Sequence, residues 1–443
     1  MDLPVLPWTH EQVVESYKER RLRVRYEEAR QSLLADGLCG PKDAQVAAFV
    51  KAEKLANYKV HKPRIIMGRT PRYNLELAAY LKPLEHALYP AFRGWGRMFL
   101  TRTRLIGKGL NGEERASLLR RKLYANPGTV CFEVDCKSFE SHVSVEQLIA
   151  EHETYTTLCR DPRLRELLSW QREFSGGFRS GVRFRAKGCR ASGDFNTGLG
   201  NTLIMCCLVL ASAKRIGSRF DFLADGDNAV IFVPCDSLHL WLRELSQCFL
   251  SMGHEAEIGE VQSEIEGVVF GQSKPICIGG RWTMIRDPLK VMSHAFAGHQ
   301  HYAELRGAPK ILRAVALCEA YLNRGVPVLQ DFAQAMLKWT RNYGLPKDPG
   351  FDNLEYQRVW PIVRARGAVE AVTIDSVARV LFEKSWGVTI EDQLRLEVGF
   401  KVPGLPHTWE GVPIDRTFAG ALDPWDLPLG QVEADWIARW SIR

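Results

Sequence analysis

No two cysteines in this 443-residue chain have C-x-x-C spacing, and the eleven cysteines are an odd number. That pattern excludes a zinc ribbon and a disulfide framework, and a reduced, cytosolic protein is expected. Long apolar runs are missing too. The longest, Leu203 to Ala213 interrupted by Ser212, is well short of the roughly 20 residues that span a bilayer, so a buried helix is expected there. Met1-Asp2-Leu3-Pro4 lacks both a basic and an apolar leader region, so no signal peptide is expected. Internal repeats and low-complexity tracts are absent, which argues against solenoid and fibrous classes. Hydrophobic residues at 46% and charged residues at 25% describe an ordinary globular chain. Its length suits roughly two to four domains or one multi-lobed one.

A strong net charge is also lacking, at +7, but the charge is unevenly placed. Lys51 to Lys122 holds 17 Lys+Arg against 5 Asp+Glu, interleaved with Tyr58, Tyr73, Tyr80, Tyr89, Phe92 and Trp95. Charge runs are usually solvated faces. Here Lys62-Pro63-Arg64 and Arg69-Thr70-Pro71-Arg72 place the charge beside prolines, as in ordered extended loops suited to a phosphate-rich partner.

The elements follow from pattern. Thr9 to Gly37 reads as one helix, with Thr9 and Gln12 at capping-box spacing and Gly37 as the stop. Leu75 to Leu88 reads as a second, and Gly107 to Gly112 as a loop. In Thr129 to Asp135, Val130, Phe132 and Val134 share one face of a strand and Glu133 and Asp135 the other. Ser175 to Gly193 suits a loop or hairpin, and a long apolar helix runs from about Thr197 to Ile216. Phe220 to Ala224 and Ala229 to Val233 form a hairpin closed by Asp225-Gly226-Asp227-Asn228. A further hairpin turns at Gly279-Gly280. Helices are expected beyond residue 300 and a Pro-rich, loop-like segment from Pro403.

Two of these positions carry chemistry. Asp135 ends a strand and Asp227 lies in a tight turn 92 residues later. Such rigid carboxylates can hold two Mg²⁺ ions, which stabilise the attacking and leaving oxygens of a phosphoryl transfer. The plain reading of 225–228 is turn chemistry alone.

The order of segments is more specific. The basic block precedes Asp135-Cys136-Lys137-Ser138-Phe139-Glu140. Then come Ser192-Gly193-Asp194-Phe195-Asn196-Thr197-Gly198-Leu199-Gly200-Asn201 and the Gly226-Asp227-Asn228 turn. This resembles the F, A, B and C motif series of viral RNA-dependent RNA polymerases, closest to the tombusvirus-like (carmovirus-like) positive-strand replicases. Pro63-Arg64, Pro71-Arg72-Tyr73-Asn74 and Leu81-Lys82-Pro83-Leu84-Glu85-His86 carry the resemblance. So do Val269 to Pro275 and Trp282-Thr283-Met284-Ile285-Arg286, which resemble motif E. Coverage runs from about Val50 to Pro288.

The resemblance implies an α+β right-hand fold, with an antiparallel palm sheet flanked by helices. Residues 1–128 and 144–189 would be fingers, 129–143 and 190–288 palm, and 289–443 thumb. It implies Asp135 and Asp227 as catalytic metal ligands, with the Cys136 backbone carbonyl as a third donor, and Mg²⁺ as cofactor with Mn²⁺ tolerated. Asn228 stands beside them in place of the second Asp of the usual Gly-Asp-Asp. Lys51, Lys62, Arg64 and Arg69 would meet the NTP triphosphate. Glu140 (usually Asp), Ser192, Thr197 and Asn201 would sense the ribose 2′-OH, with helix capping as the plain alternative. The lysine that the family often carries in motif D is missing between Lys214 and Lys274, which leaves His254 as the candidate general acid. Six tryptophans from Trp360 to Trp440 suit thumb packing or base stacking.

Implied partners are a single-stranded RNA template, nascent RNA and NTPs. Other viral replication proteins and, through them, host cytoplasmic membranes complete the expectation. Two other readings compete: a reverse transcriptase on a similar palm, and an inactive polymerase-fold RNA-binding protein. Glu140, Asn201 and the Asp-Gly-Asp-Asn turn disfavour the first, and retention of both Asp135 and Asp227 disfavours the second.

Overall fold

Thr9 caps α1 (His10–Ser16): its hydroxyl accepts the Gln12 N–H while the Gln12 side chain accepts the Thr9 N–H. The helix expected to continue to Gly37 breaks at Tyr17 and restarts as α2 (Arg20–Asp36), which Gly37 ends. The break has a packing cause. Tyr17 stacks on Tyr26 with ring centroids 4.7 Å apart and Lys82 over the ring. Nine residues apart on a straight helix, the two would lie about 13 Å apart.

The protein is described here by a computed structural model covering residues 5–51, 63–296, 307–351 and 353–401. It forms two compact units: Met1–Lys51 with Pro63–Gly271, and Ala52–Lys62 with Gln272–Arg443.

The first unit contains two sheets. One has the order β2-β1-β4-β5, from β1 (Val46–Val50), β2 (Ile65–Gly68), β4 (Glu173–Phe178) and β5 (Arg183–Lys187). β1 and β4 run parallel and the other pairs antiparallel. The hairpin expected in 175–193 is β4–β5. Beside this sheet α1, α2, α3 (Pro71–Ala91), α6 (Val145–Leu158) and α7 (Pro162–Arg172) bury Tyr73, Leu77, Leu81, Tyr155 and Leu167.

The second sheet has the order β6-β7-β3-β8, antiparallel throughout, from β3 (Thr129–Cys136), β6 (Asp221–Asp225), β7 (Asn228–Pro234) and β8 (Ala256–Ile258). The expected alternation on β3 holds. Val130, Phe132 and Val134 join Phe222, Ala224, Ile231 and Val233 in a core with α8 (Thr197–Ile216) and α9 (Leu238–Ser251). α8 has the bounds read from the sequence. It is the one helix among the described residues long and apolar enough to cross a membrane, but most of it is buried in this core.

The opposite sheet face meets α4 (Gly112–Leu123). There Lys122 Nζ pairs with Asp221 Oδ1 at 2.6 Å, both side chains fully buried. Removing either partner would strand a buried charge, at a cost of about 3–5 kcal/mol.

In the second unit, β9 (Ser273–Ile278) and β10 (Arg281–Arg286) form the hairpin read at Gly279-Gly280. Helices α10 (Pro288–Phe296), α11 (Ala308–Leu322), α12 (Leu329–Trp339), α13 (Leu354–Arg366), α14 (Ser376–Trp386) and α15 (Ile390–Gly399) follow. Leu312, Leu317, Phe332, Met336, Val363 and Phe382 form its core, with Trp339, Trp360 and Trp386 packed against it. The Pro-rich segment from Pro403 and Trp409, Trp425, Trp436 and Trp440 lie outside the described residues.

Candidate active site

Asp135 is the penultimate residue of β3. Its Cα partner on one side is Glu257 of β8. On the other side β3 pairs with β7 up to Val134–Ala229. One step further, Asp135 comes level with the start of β7, where the chain has just left the β6–β7 turn. Asp225 and Asn228 are paired, so Gly226 and Asp227 alone make that turn. Gly226 has φ 72°, the left-handed conformation that tight hairpins require at this position. A strand end and a two-residue turn thus bring the two carboxylates to the same end of the sheet.

Both aspartates are half-buried. Burial pushes each pKa above the usual carboxylate range; Glu257 and Glu140 push Asp135 further, and Asp135 and Glu140 push Asp227 further. Glu133, two residues before Asp135 on the same face, is raised to about 7 by burial and by Asp135. Asp135 Oδ1 accepts the Cys136 N–H at 2.7 Å. Asp227 Oδ1 accepts the Asn228 side-chain N–H at 3.3 Å. Among the described residues neither aspartate is ion-paired.

Such carboxylates suit a hard divalent cation with oxygen ligands. No group of three or more His, Cys, Asp and Glu among the described residues forms a finished cage. Two carboxylates with open positions suit a divalent cation that keeps waters and takes phosphate oxygens. The Cys136 side chain lies in the core on the opposite face, and its thiol is pushed up to about 12 by burial and the surrounding carboxylates. Only its backbone carbonyl could serve as a donor.

The residues read as ribose sensors separate into two sets. Glu140 lies on the short helix α5 (Phe139–His142) and Asn201 in the second turn of α8. Asn201 Nδ2 donates to Glu140 Oε1 at 3.1 Å. Asn201 Oδ1 is buried without a hydrogen-bond partner, an orphan acceptor of the kind that calls for an explanation. The other two hydroxyls serve the backbone. Ser192 Oγ donates to Ile65 O at 3.0 Å and accepts the Met67 N–H at 3.2 Å. Thr197 donates to the carbonyls of Ala191 and Asp194. Gly193 sits so close to β2 that a Cβ would lie 2.6 Å from Met67 O. Its freedom serves that contact between segments, not a ligand.

The basic residues separate likewise. Lys51 and Arg64 are exposed where the β1–β2 hairpin opens, with the Lys51 N–H donating to Arg64 O at 2.8 Å. Lys62 lies outside the described residues. Arg69 is only 4% exposed. It pairs with Asp194, donates to the carbonyls of Ala44 and Trp170, and packs over Tyr73 and Phe174. With its donors committed, it fastens β2 to the segment leading into α8.

His254 is fully buried. Its ring packs against Phe139 at 4.7 Å and its Nε2 lies 3.1 Å from Gln147 Oε1. Burial, helped by His142, lowers its pKa to about 4. At neutral pH it is a neutral packing residue with no extra proton to give.

Three features escaped the sequence reading. Thr202 Oγ1 accepts the Gly226 N–H at 2.8 Å, tying α8 to the turn that carries Asp227. Lys108 Nζ and Arg115 both reach Asp225, at 2.6 and 2.5 Å. Arg190 and Glu151 form a fully buried pair beneath the start of α8. Only the place of Thr202 directly after Asn201 offered a sequence signal.

The comparisons with known proteins agree with the motif order. Residues 3–404 match the family described as viral RNA dependent RNA polymerase. The chain is 32% identical over 406 residues to the RNA-directed RNA polymerase of Turnip crinkle virus, covering 88% of this chain and 50% of that protein. It is 33% identical over 398 residues to that of Carnation mottle virus, covering 87% and 50%. For Melon necrotic spot virus the identity is 31% over 417 residues, covering 91% and 50%. The chain therefore spans about half the length of the curated relatives it matches. With the family matched over nearly its whole length, and the resemblance to tombusvirus-like and carmovirus-like replicases borne out, the chain belongs to the viral RNA-dependent RNA polymerases.

Proposed function

We propose that this chain catalyses template-directed transfer of NTPs to an RNA 3′-OH, as part of a positive-strand virus replicase. The observation that carries this reading is the juxtaposition of two desolvated carboxylates, Asp135 and Asp227, at one end of the β6-β7-β3-β8 sheet. That sheet with α8 and α9 would be the palm. The β2-β1-β4-β5 sheet and its helices would be the fingers, and the helices after residue 288 the thumb. The β9–β10 hairpin, grouped with the helical unit by its packing, would be motif E.

In this reading the RNA 3′-oxygen attacks the α-phosphorus of the NTP and pyrophosphate leaves in line. Divalent cations held by Asp135 and Asp227 would supply charge stabilisation for both oxygens. The protein's own residues do the rest. Thr202 fixes the Gly226 backbone and so the aim of Asp227. Asn228 holds the Asp227 carboxylate with a neutral donor instead of adding a charge. Glu140 orients the Asn201 amide, leaving Oδ1 to accept a ribose 2′-hydroxyl that deoxyribose lacks. Lys51 and Arg64, exposed where the β1–β2 hairpin opens, would meet the triphosphate. Arg69, committed to Asp194, instead fastens β2 to the segment that leads into α8.

The test is incorporation of labelled NTP on a short RNA template in Mg²⁺ and in Mn²⁺. Template-length product that disappears in Asp227→Ala supports the reading. Folded protein that binds RNA without turnover in either metal favours an RNA-binding role instead.

A further inference from the structure

The strap from Phe92 to Leu110, which joins α3 to α4, carries five basic residues and no acidic one. It runs along the outer edge of β6. Phe99 bridges to Phe220, Ile106 bridges to Ala224, and the Gly107 N–H donates to Ala224 O at 2.8 Å. The order across the sheet is therefore strap, β6, β7, β3, β8. Asp227 lies between the strap on one side and Asp135 on the other.

At its catalytic end the strap presents Lys108. The stem of this residue crosses the first turn of α8, where a Cβ on Gly198 would lie 3.3 Å from Lys108 Cε. Its Nζ reaches Asp225 Oδ1 at 2.6 Å, and Arg115 takes the other carboxylate oxygen at 2.5 Å. Two cations share one carboxylate, so the cluster keeps one positive charge beside the catalytic turn. The Lys108 side chain remains 30% exposed. Nζ can turn to an incoming phosphate without leaving Asp225 unpaired, because Arg115 stays. Toward the far end of β6, Arg97 and Arg102 are exposed, while the exposed Arg93 bridges back to Arg104. The Arg102 guanidinium lies over the exposed Trp95 at 5.7 Å, a cation and an aromatic surface of the kind that holds nucleic-acid strands.

We propose that this strap seats the sugar-phosphate backbone of the nascent RNA strand, with Lys108 holding a phosphate next to its 3′ end. The inference rests on the polymerase reading above. In-line displacement places the attacking 3′-oxygen and the leaving pyrophosphate on opposite sides of the α-phosphorus. The Glu140–Asn201 pair lies toward β3, so the incoming ribose sits on that side of the turn. The strand bearing the 3′-OH then comes from the β6 side, where the strap's charge is. A phosphate-lysine contact is charge-assisted and salt-dependent.

Binding of the whole chain to a short fluorescent primer–template RNA, measured against salt, tests this, together with primer extension at varied NTP. Lys108→Gln should weaken primed-RNA binding about five- to tenfold. It should lower the slope of log K against log salt by about one and leave the KM for NTP unchanged. Lys108→Arg should retain near wild-type binding. Asp225→Asn releases Lys108 and should tighten binding, which a purely structural role for the ion pair does not allow. Unchanged affinity and slope in Lys108→Gln, or an effect confined to the KM for NTP, overturns the proposal. Should Lys108→Gln not fold, failure of Asp225→Asn to tighten binding overturns it alone. Wild-type protein that binds primed RNA yet never extends it overturns the polymerase reading, while the strap is still judged by binding.

Discussion

Asn201 gives one amide hydrogen to Glu140 at 3.1 Å and keeps its own carbonyl oxygen buried and unpaired. A buried acceptor without a donor costs on the order of 1–3 kcal/mol. A ribose 2′-hydroxyl would satisfy it and a deoxyribose would not. Asn201→Ala should therefore cut the preference for NTP over dNTP, measured as the ratio of kcat/KM values, by roughly ten- to a hundredfold. Glu140→Asp, which shortens the arm that orients the amide, should do so less. An unchanged ratio in Asn201→Ala would remove Asn201 from sugar recognition.

Asp135 and Asp227 are held above ordinary carboxylate pKa values. The folded protein thus keeps protons that the unfolded chain has released, and this contribution to stability falls as pH rises through the raised pKa values. Asp227→Asn removes one such charge. Without divalent metal at pH 8 it should raise Tm by about 2 °C, while activity falls roughly a thousandfold or more. Thermal melts with and without Mg²⁺ check both halves: wild type should gain stability from the metal and the variant much less.

Asn228→Asp replaces a hydrogen-bond donor to Asp227 with a like charge. Metal-free Tm should fall, and the ratio of activity in Mg²⁺ to activity in Mn²⁺ should change. An unaltered ratio would mean that Asn228 serves only the turn.

Thr202→Val removes the acceptor for the Gly226 N–H but keeps the shape. A loss of about 1 kcal/mol in stability is expected, with kcat lowered about tenfold and the KM for NTP little changed, because the turn is mis-aimed and the substrate pockets are intact. Thr202→Ser should restore kcat.

His254, held near pKa 4 in the fold against an unfolded value of 6.5, disfavours folding as pH drops. Between about pH 6.5 and 4 the unfolded chain takes up a proton that the folded ring refuses, at up to about 1.4 kcal/mol per pH unit. His254→Gln should flatten the acid limb of the stability curve while leaving turnover at saturating NTP intact. Lost turnover in a folded variant would restore it as a candidate acid.

What the sequence revealed, and what it hid, divides along physical lines. α8, β3 and the β6–β7 hairpin follow from local periodicity and turn chemistry, so they were legible. The order of motifs identified the family. Contacts between distant segments were not legible. Arg69 looked like a phosphate ligand because nothing local shows that Asp194, 125 residues later, takes its guanidinium. Ser192 and Thr197 looked like sugar sensors, yet their hydroxyls satisfy nearby backbone. The break at Tyr17 depends on an aromatic stack that periodicity does not encode. Lys108 and Thr202 became visible only when the strap and α8 were seen against the turn that carries Asp227.

Whether Asp135 and Asp227 are the metal-binding pair of an RNA-templated polymerase is decided by the length of labelled product made from NTPs on a defined single-stranded RNA, in Mg²⁺ and Mn²⁺, by wild type, Asp135→Ala and Asp227→Ala. Template-length RNA is expected from wild type and none from either variant, with both variants folded and still binding the template. Equal product from Asp227→Ala, or none from folded, RNA-binding wild type in either metal, would contradict it.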